Sequence, residues 1–247
     1  MSNLNLWDKL NKLNETWKWV DLSHEVSSQT PHCHGFSSLK TSTLYELEKD
    51  GFTTHTYELV GQYGTHVDAP IHFVKNQRTL DTFTPEDMAM PLCVIDKSKE
   101  VEENNDFAMR VEDILEWESV HGKIPEGSFV AFMSNWSKRK TQEAMENADE
   151  EGVKHYPGWS MEALEFLVKE RNVGAIGHEQ ADTDPAPIAQ GEGMIGEYYI
   201  LSTGKYQIEL LKNLDLCPAT GAVIFCTFPK VKNGTGFTAR CFAICPK

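Results

Sequence analysis

The sequence predicts an α/β (α+β) protein built as a single domain, with a mixed sheet and peripheral helices. Three observations carry this. Two segments, 41–48 and 52–60, alternate polar and apolar residues around Lys49-Asp50-Gly51, the signature of a hairpin. Segments with apolar residues at helical spacing, 110–120 and 160–171, then separate short apolar runs at 92–96, 128–133 and 173–177. No internal repeat and no Gly/Ser/Pro linker divides the 247 residues, a length that one large domain can use.

Taken in order, Leu4, Leu6, Trp7, Leu10 and Leu13 predict an amphipathic helix at the N-terminus. Trp19-Val20-Asp21-Leu22 opens a strand, and 28–36 is a polar, His-rich loop. The hairpin follows, and its second arm runs into Gly61. A short apolar strand at 92–96 precedes a helix over 110–120, which repeats apolar residues at 111, 114, 115 and 117. The buried strand 128–133 ends in Ser134-Asn135-Trp136. Segment 141–151 is charged and predicts an exposed helix whose acids form a solvated face. Ser160 suits the N-cap of a helix through Arg171. The strand 173–177 delivers His178, Glu179, Asp182 and Asp184 into a loop. A short helix is expected over 207–214, and closing strands over 222–228 and 236–244.

Composition narrows the function. A hydrophobic content of 40% and a charged content of 24% describe an ordinary globular chain. The net charge of −14 disfavours nucleic acid and anionic membranes, which need a basic surface. Residues 1–19 contain no apolar run, so neither a signal peptide nor a membrane span is expected, and a cytoplasmic location follows. Six cysteines occur without CxxC pairs and read as reduced thiols; Cys241 and Cys245 share the parity of a core strand.

The chemistry concentrates in Gly61-Gln62-Tyr63-Gly64-Thr65-His66-Val67-Asp68-Ala69-Pro70-Ile71-His72-Phe73. Gln62, His66, Asp68 and His72 share one parity, and alternate residues of an extended chain point to one side. His66 and Asp68 therefore converge as an N/O site for a divalent cation. Gly64 and Pro70 bracket the pair and bend the chain. His72, beyond the proline, suits a base facing the metal as well as it suits a ligand. Glu197 and Glu209 read, from spacing alone, as surface carboxylates. Gly177-His178-Glu179-Gln180-Ala181-Asp182-Thr183-Asp184-Pro185 places polar groups at the C-terminal end of a buried strand, where ligand crevices of α/β sheets lie. His32, Cys33 and His34 fit a loop at a pocket mouth better than a second metal site. Nucleophile-elbow, P-loop and dinucleotide fingerprints are absent from the sequence.

Gly64-Thr65-His66-Val67-Asp68-Ala69-Pro70-Ile71-His72-Phe73 closely resembles the signature of the cyclase family of metal-dependent hydrolases, which includes kynurenine formamidase, isatin hydrolase and trans-dienelactone hydrolase. Asp21-Leu22-Ser23-His24, His121 to Gly127, Ser134-Asn135-Trp136-Ser137, Tyr156-Pro157-Gly158-Trp159-Ser160, Asp184-Pro185 and Gly234-Thr235-Gly236 resemble further parts of it. The likeness spans 18–245, which sets a helical extension, 1–17, apart from a hydrolase domain, 18–247. It implies a swivelling β/β/α-type fold, a homodimer or homotetramer, and a Mn2+ or Zn2+ site that activates water against a small-molecule carbonyl.

By that resemblance His66 and Asp68 match metal ligands, His72 the catalytic histidine, and Glu209 a distal ligand position, which reverses the reading from spacing. Formamidases have histidines where this chain has Gln62 and Glu197; the metal is expected on Gln62, His66 and Asp68, with Glu209 or Glu197 as further ligands, and oxygen donors there favour harder cations. His32 stands near a family tryptophan and, with His178 and Glu179, is a candidate for substrate orientation. The resulting expectation is hydrolysis of a cyclic amide, imide, lactone or N-formyl amide. Two rivals accompany it: a catalytically silent binding homologue, and a metal-dependent lyase or isomerase acting on a small acid.

Overall fold

A computed structural model describes residues 5–33 and 35–247. Residues 1–4, where the expected N-terminal helix begins, and His34 lie outside the described residues. Helix α1 (Leu6–Thr16) leads into β1 (Trp17–Asp21), and β2 (Lys40–Tyr45), the one-turn α2 (Leu47–Asp50) and β3 (Thr54–Glu58) follow. Next come β4 (His66–Asp68), β5 (Ala89–Asp96), α3 (Ser98–Glu103), β6 (Ala108–Met109), α4 (Val111–His121) and β7 (Phe129–Met133). The chain continues through α5 (Gln142–Glu146), β8 (Gly158–Trp159), α6 (Met161–Lys169) and β9 (Ala175–His178). It ends with α7 (Ala186–Gly191), α8 (Ile195–Ser202), β10 (Tyr206–Glu209), β11 (Ala222–Thr227), β12 (Gly236–Thr238) and β13 (Arg240–Pro246).

The expected mixed sheet is present: nine strands in the order β1-β13-β11-β5-β7-β9-β10-β4-β12. The central run β5-β7-β9-β10 is parallel and both flanks are antiparallel. Connectivity forces this sheet to curl. Strand β12 ends at Thr238 on one edge, and β13 begins at Arg240 near the other. A single residue spans them, so the two edges must approach each other. The segment after β1 meets the segment after β10, where Lys212 N donates to Leu22 O (3.0 Å) and Ser23 pairs with Leu211.

Alternation divides each strand between two cores. Leu92, Val94, Phe129, Ala131, Ala175 and Ile208 face the inside of the curl with Val67, Ile224, Cys241 and Cys245. Cys93, Ile95, Val130, Phe132 and Ile176 face outward, covered by Ile114 and Trp117 of α4, Leu164 and Leu167 of α6, and Ile200 and Leu201 of α8. Burial of the thiols of Cys241 and Cys245 agrees with their predicted core role. Ser160 caps α6 through Ala163 N (3.2 Å), as its sequence position predicts.

Three expectations are corrected. Segment 207–214 is not a helix; its first part is the buried strand β10, and Leu210 leaves it with φ +53. Apolar residues at 208, 211 and 214 mimic helical spacing, whereas burial on both faces and pairing to β4 and β9 select extended backbone. The helix expected over 141–151 stops at Glu146 because Asn147 adopts the left-handed conformation, and Met145 on it is buried. The Lys49-Asp50-Gly51 hairpin exists, but its turn is the helix α2 closed by Gly51 at φ +81.

Candidate metal centre

The register of β10 against β4 builds the site. Glu209 pairs with His66, and Gln207 pairs with Asp68. Opposed residues of an antiparallel pair share a face, so these four polar side chains form one patch, while Val67 and Ile208 between them point into the core. Strand β12 lies on the other side of β4 with Gly236 opposite Asp68. A Cβ there would stand 2.5 Å from both Gln62 Nε2 and Val67 O, so the close approach requires glycine. Strand β9 runs parallel to β10 and carries His178 to Glu209.

His66 is oriented by its own turn. Its Nδ1 lies 2.8 Å from Gly64 O, a group that can only accept, so Nδ1 carries the proton. The other nitrogen, Nε2, is 3.4 Å from Asp68 Oδ2 and 3.4 Å from Glu209 Oε2. A bare imidazole lone pair facing two carboxylates is repulsive unless a proton or a cation stands between them. Burial is the largest single influence and opposes a charged His66, but Asp68, Gly64 O and Asp182 together hold the group above its ordinary value.

A second group shares Asp68. His72 sits on the 3-10 turn Pro70–His72, with Nε2 3.8 Å from Asp68 Oδ1, and its side chain is 28% exposed. Glu197 stands in the first turn of α8 and is buried, as is Glu209; both differ from the surface placement that spacing suggests. Asp184 positions Glu197 by accepting from Gly196 N (2.7 Å) and Glu197 N (3.1 Å). Ligand atoms of His66, Asp68 and Glu209 lie within 4.8 Å of one another, as do those of Asp68, His72 and Glu197.

Such an arrangement fits a divalent cation. Three buried carboxylates in one place are costly without a counter-charge. Burial and then Glu197, Asp68 and Asp182 raise Glu209 well above the ordinary range, and burial followed by Asp68 does the same to Glu197. Asp68 Oδ1 is buried with no hydrogen-bond partner, which suits a ligand atom. The donors are mainly oxygen, a set for hard or borderline cations.

Around these groups lies a layer that fixes them. Gln207 Nε2 bridges Asp68 Oδ2 (3.2 Å) and Glu209 Oε1 (3.0 Å), and its own Oε1 accepts from Thr183 Oγ1 (2.6 Å). His178 accepts from Trp159 Nε1 at Nδ1 (3.3 Å), so its proton is on Nε2, 3.4 Å from Glu209 Oε1. Burial lowers His178 to about 3, keeping it neutral. Gln62 Nε2 is 3.4 Å from His72 Nδ1 and 3.4 Å from Thr235 Oγ1, on the His72 side of the cluster. Glu179 is directed away: its carboxylate accepts from Ser134 N (2.9 Å) and Ser137 Oγ (2.6 Å). His32 packs on Tyr63 in a tilted arrangement, with ring centroids 4.7 Å apart, and lines a cavity of about 250 Å3 with Trp136, Tyr156, Asp182 and Met194. Gln207 and Trp159 escape sequence reasoning. A strand reading of 206–209 exposes Gln207, since it shares the parity of Glu209.

The chain also resembles known proteins. The profile of the family described as "Putative cyclase" matches residues 20–185. Isatin hydrolase of Roseibium aggregatum is 34% identical over 212 residues, which cover 83% of this chain and 80% of that protein. Isatin hydrolase A from Labrenzia aggregata, solved with benzyl benzoate, superposes with a TM-score of 0.91 at 31% identity, covering 98% of this chain and 100% of that one. An isatin hydrolase bound to the product analogue thioisatinate gives a TM-score of 0.92 at 28% identity, with both chains fully covered.

Proposed function

We propose, on the premise that this chain belongs to the cyclase family, that it opens the ring of a small cyclic amide of the isatin class. It is a metal-dependent hydrolase. The observation that carries the site assignment is His66 Nε2, with Nδ1 committed to Gly64 and two carboxylates at 3.4 Å. In our reading His66, Asp68 and Glu209 hold the cation, Glu197 completes the site, and Gln62 lies at its edge beside His72. The oxygen-rich set favours Mn2+ over Zn2+. When bound, such a cation supplies Lewis acidity toward the amide carbonyl and acidifies water.

The chain's own residues do the rest. His72, at the exposed edge of the cluster, takes a proton from the attacking water as the new C–O bond forms. It returns that proton to the ring nitrogen as the C–N bond breaks, so water is consumed and an amino acid is released. Gln207 and His178 both reach Glu209 Oε1, which leaves Oε2 facing His66 Nε2. The cavity of about 250 Å3, walled by Trp136 and Tyr156, suits a flat two-ring substrate and excludes a peptide.

The test is direct. Purified protein loaded with Mn2+ is given isatin in 18O-labelled water. The expected result is a ring-opened keto acid carrying one label, with activity lost to a chelator and restored by Mn2+. Absence of ring opening with every divalent cation tried refutes the proposal.

The same reading makes the protein a homodimer or homotetramer of the cytoplasm. Supporting the first point, Leu6, Trp7 and Leu10 of α1 and Leu44, Leu47, Phe52 and Tyr57 of the hairpin leave apolar surface uncovered. Supporting the second, six cysteines suit a reducing compartment. Among the described residues no helix is long and apolar enough to cross a membrane.

A further inference from the structure

The cavity beside the cluster has walls that are mostly apolar, among them Pro31, Trp136, Met145, Ala181 and Met194. In such a cavity a few polar groups decide how a ligand sits. Most of the polar groups here are already engaged with one another. Gln142 Nε2 donates to His32 O (2.7 Å) and Glu146 Oε1 (2.9 Å), while its Oε1 accepts from His32 N (3.0 Å). Lys154 Nζ lies 3.6 Å from Glu146 Oε2. Gln190 is tied to the backbone of Lys154 at 3.0 Å and 2.9 Å.

Asp182 differs. Tyr156 shares the cavity wall with it, and among the described residues its carboxylate has no counterpart to the hydrogen bonds that engage Gln142 and Gln190. A carboxylate accepts in about four directions, so most of its capacity is open. Its position is equally telling: Asp182 lines the cavity, and in the same loop it stands between His178, 3.4 Å from Glu209, and Asp184, which accepts from Glu197 N at 3.1 Å. It therefore stands at the junction between cavity and cluster.

We propose that Asp182 receives the ring N–H of the substrate, so that this site takes lactams and imides with a free N–H in preference to N-alkylated rings and lactones. The proposal rests on the hydrolase reading above. In a ring amide the N–H is bonded to the carbonyl carbon. A substrate whose carbonyl faces the cluster and whose ring fills the cavity turns that N–H toward the wall at the junction. An N-methyl group or a lactone oxygen presents no donor and leaves the carboxylate without a partner in a low-dielectric site, which is strongly disfavoured. The discrimination is therefore larger than shape alone supplies.

The experiment pairs a benzo-fused cyclic amide with its N-methyl derivative on wild-type protein, Asp182→Ala and Asp182→Asn, with bound metal measured in each. Wild type is expected to favour the N–H ring by about 10- to 100-fold in kcat/KM, the range of a charge-assisted hydrogen bond. Asp182→Ala is expected to erase that preference by lowering only the N–H substrate, with metal content unchanged. Asp182→Asn, which keeps an acceptor oxygen, is expected to restore part of it. An equal fall for both rings, or a preference that survives in Asp182→Ala, overturns the proposal. Should neither ring be hydrolysed by wild type, the hydrolase reading fails separately. Calorimetric binding of the same pair then decides the N–H role, and equal affinities in wild type overturn it.

Discussion

At His66 a single hydrogen bond to Gly64 O decides which nitrogen is offered to the cluster, and the metal reading rests on that atom. Cation binding must displace the protons that burial and neighbouring carboxylates keep on Glu209 and Glu197. Metal affinity should therefore tighten as pH rises through the raised values of these carboxyls, with protons released on binding. Titration calorimetry in buffers of different ionisation enthalpy checks this, and a pH-independent affinity sinks the assigned ligands. In metal-free protein these same raised carboxyls bind more protons folded than unfolded, so they stabilise the fold progressively as pH falls through their raised values. His72→Ala should lower kcat by about 100- to 10,000-fold, the usual worth of a general base, while metal stoichiometry by elemental analysis stays at the wild-type value. Loss of metal in that variant would recast His72 as a ligand. Gln207 touches two of the assigned ligands at once, so Gln207→Ala should weaken metal binding by about 10- to 100-fold. A competition assay with a coloured chelator reads that change, and unchanged affinity removes Gln207 from the site.

At the scale of elements, the site is a product of register. One residue of slippage of β4 against β10 would turn His66 and Asp68 into the core and Val67 outward, parting them from Glu209 and Gln207. Both neighbours of the pair help to prevent it. Thr65 Oγ1 donates to Leu210 O (2.6 Å), and Leu210 N donates to Gln180 O (3.1 Å), which pins the left-handed Leu210 immediately after Glu209. On the other side β12 approaches through Gly236. Gly236→Ala should cost about 1–3 kcal/mol through overpacking, because the new methyl meets Val67 O and Gln62 Nε2 at 2.5 Å. The urea midpoint measures this, and an unshifted midpoint would show that β12 yields freely. Activity should fall in the same variant, since the displaced Gln62 lies against His72.

For the whole molecule, curling brings together segments distant in the chain. Strand β4 from the first third meets β10 and β12 from the last, with α8 closing the cluster from outside. Unfolding of any one of these segments takes the others' ligands apart, so bound metal should raise the global unfolding temperature, and a chelator should lower it. Thermal scans with and without Mn2+ check this. Apolar side chains of α1 and the hairpin stand exposed together, with Trp7 79% accessible. Light scattering on a sizing column should give a multiple of the 27.9 kDa chain mass. Charge placed at Trp7 and Tyr57 together should shift that value toward the monomer; a monomer in the unaltered protein removes the proposed assembly.

The sequence by itself determined the α/β class, most strand positions, the capped helix after Ser160 and the convergence of His66 with Asp68. These are local properties: period, capping and parity act over a few residues. The nearness of His72 to Asp68 was legible too, although a turn rather than a strand delivers it. Tertiary structure alone decided that Glu197 and Glu209 are buried, that 206–209 is a strand, and that Gln207 holds Asp68 and Glu209 together. It also separated His178, turned toward the cluster, from Glu179, turned away. The physical reason is that register and burial are set by partners far along the chain. A glutamate's own neighbours cannot say whether a histidine from a distant strand will lie opposite it.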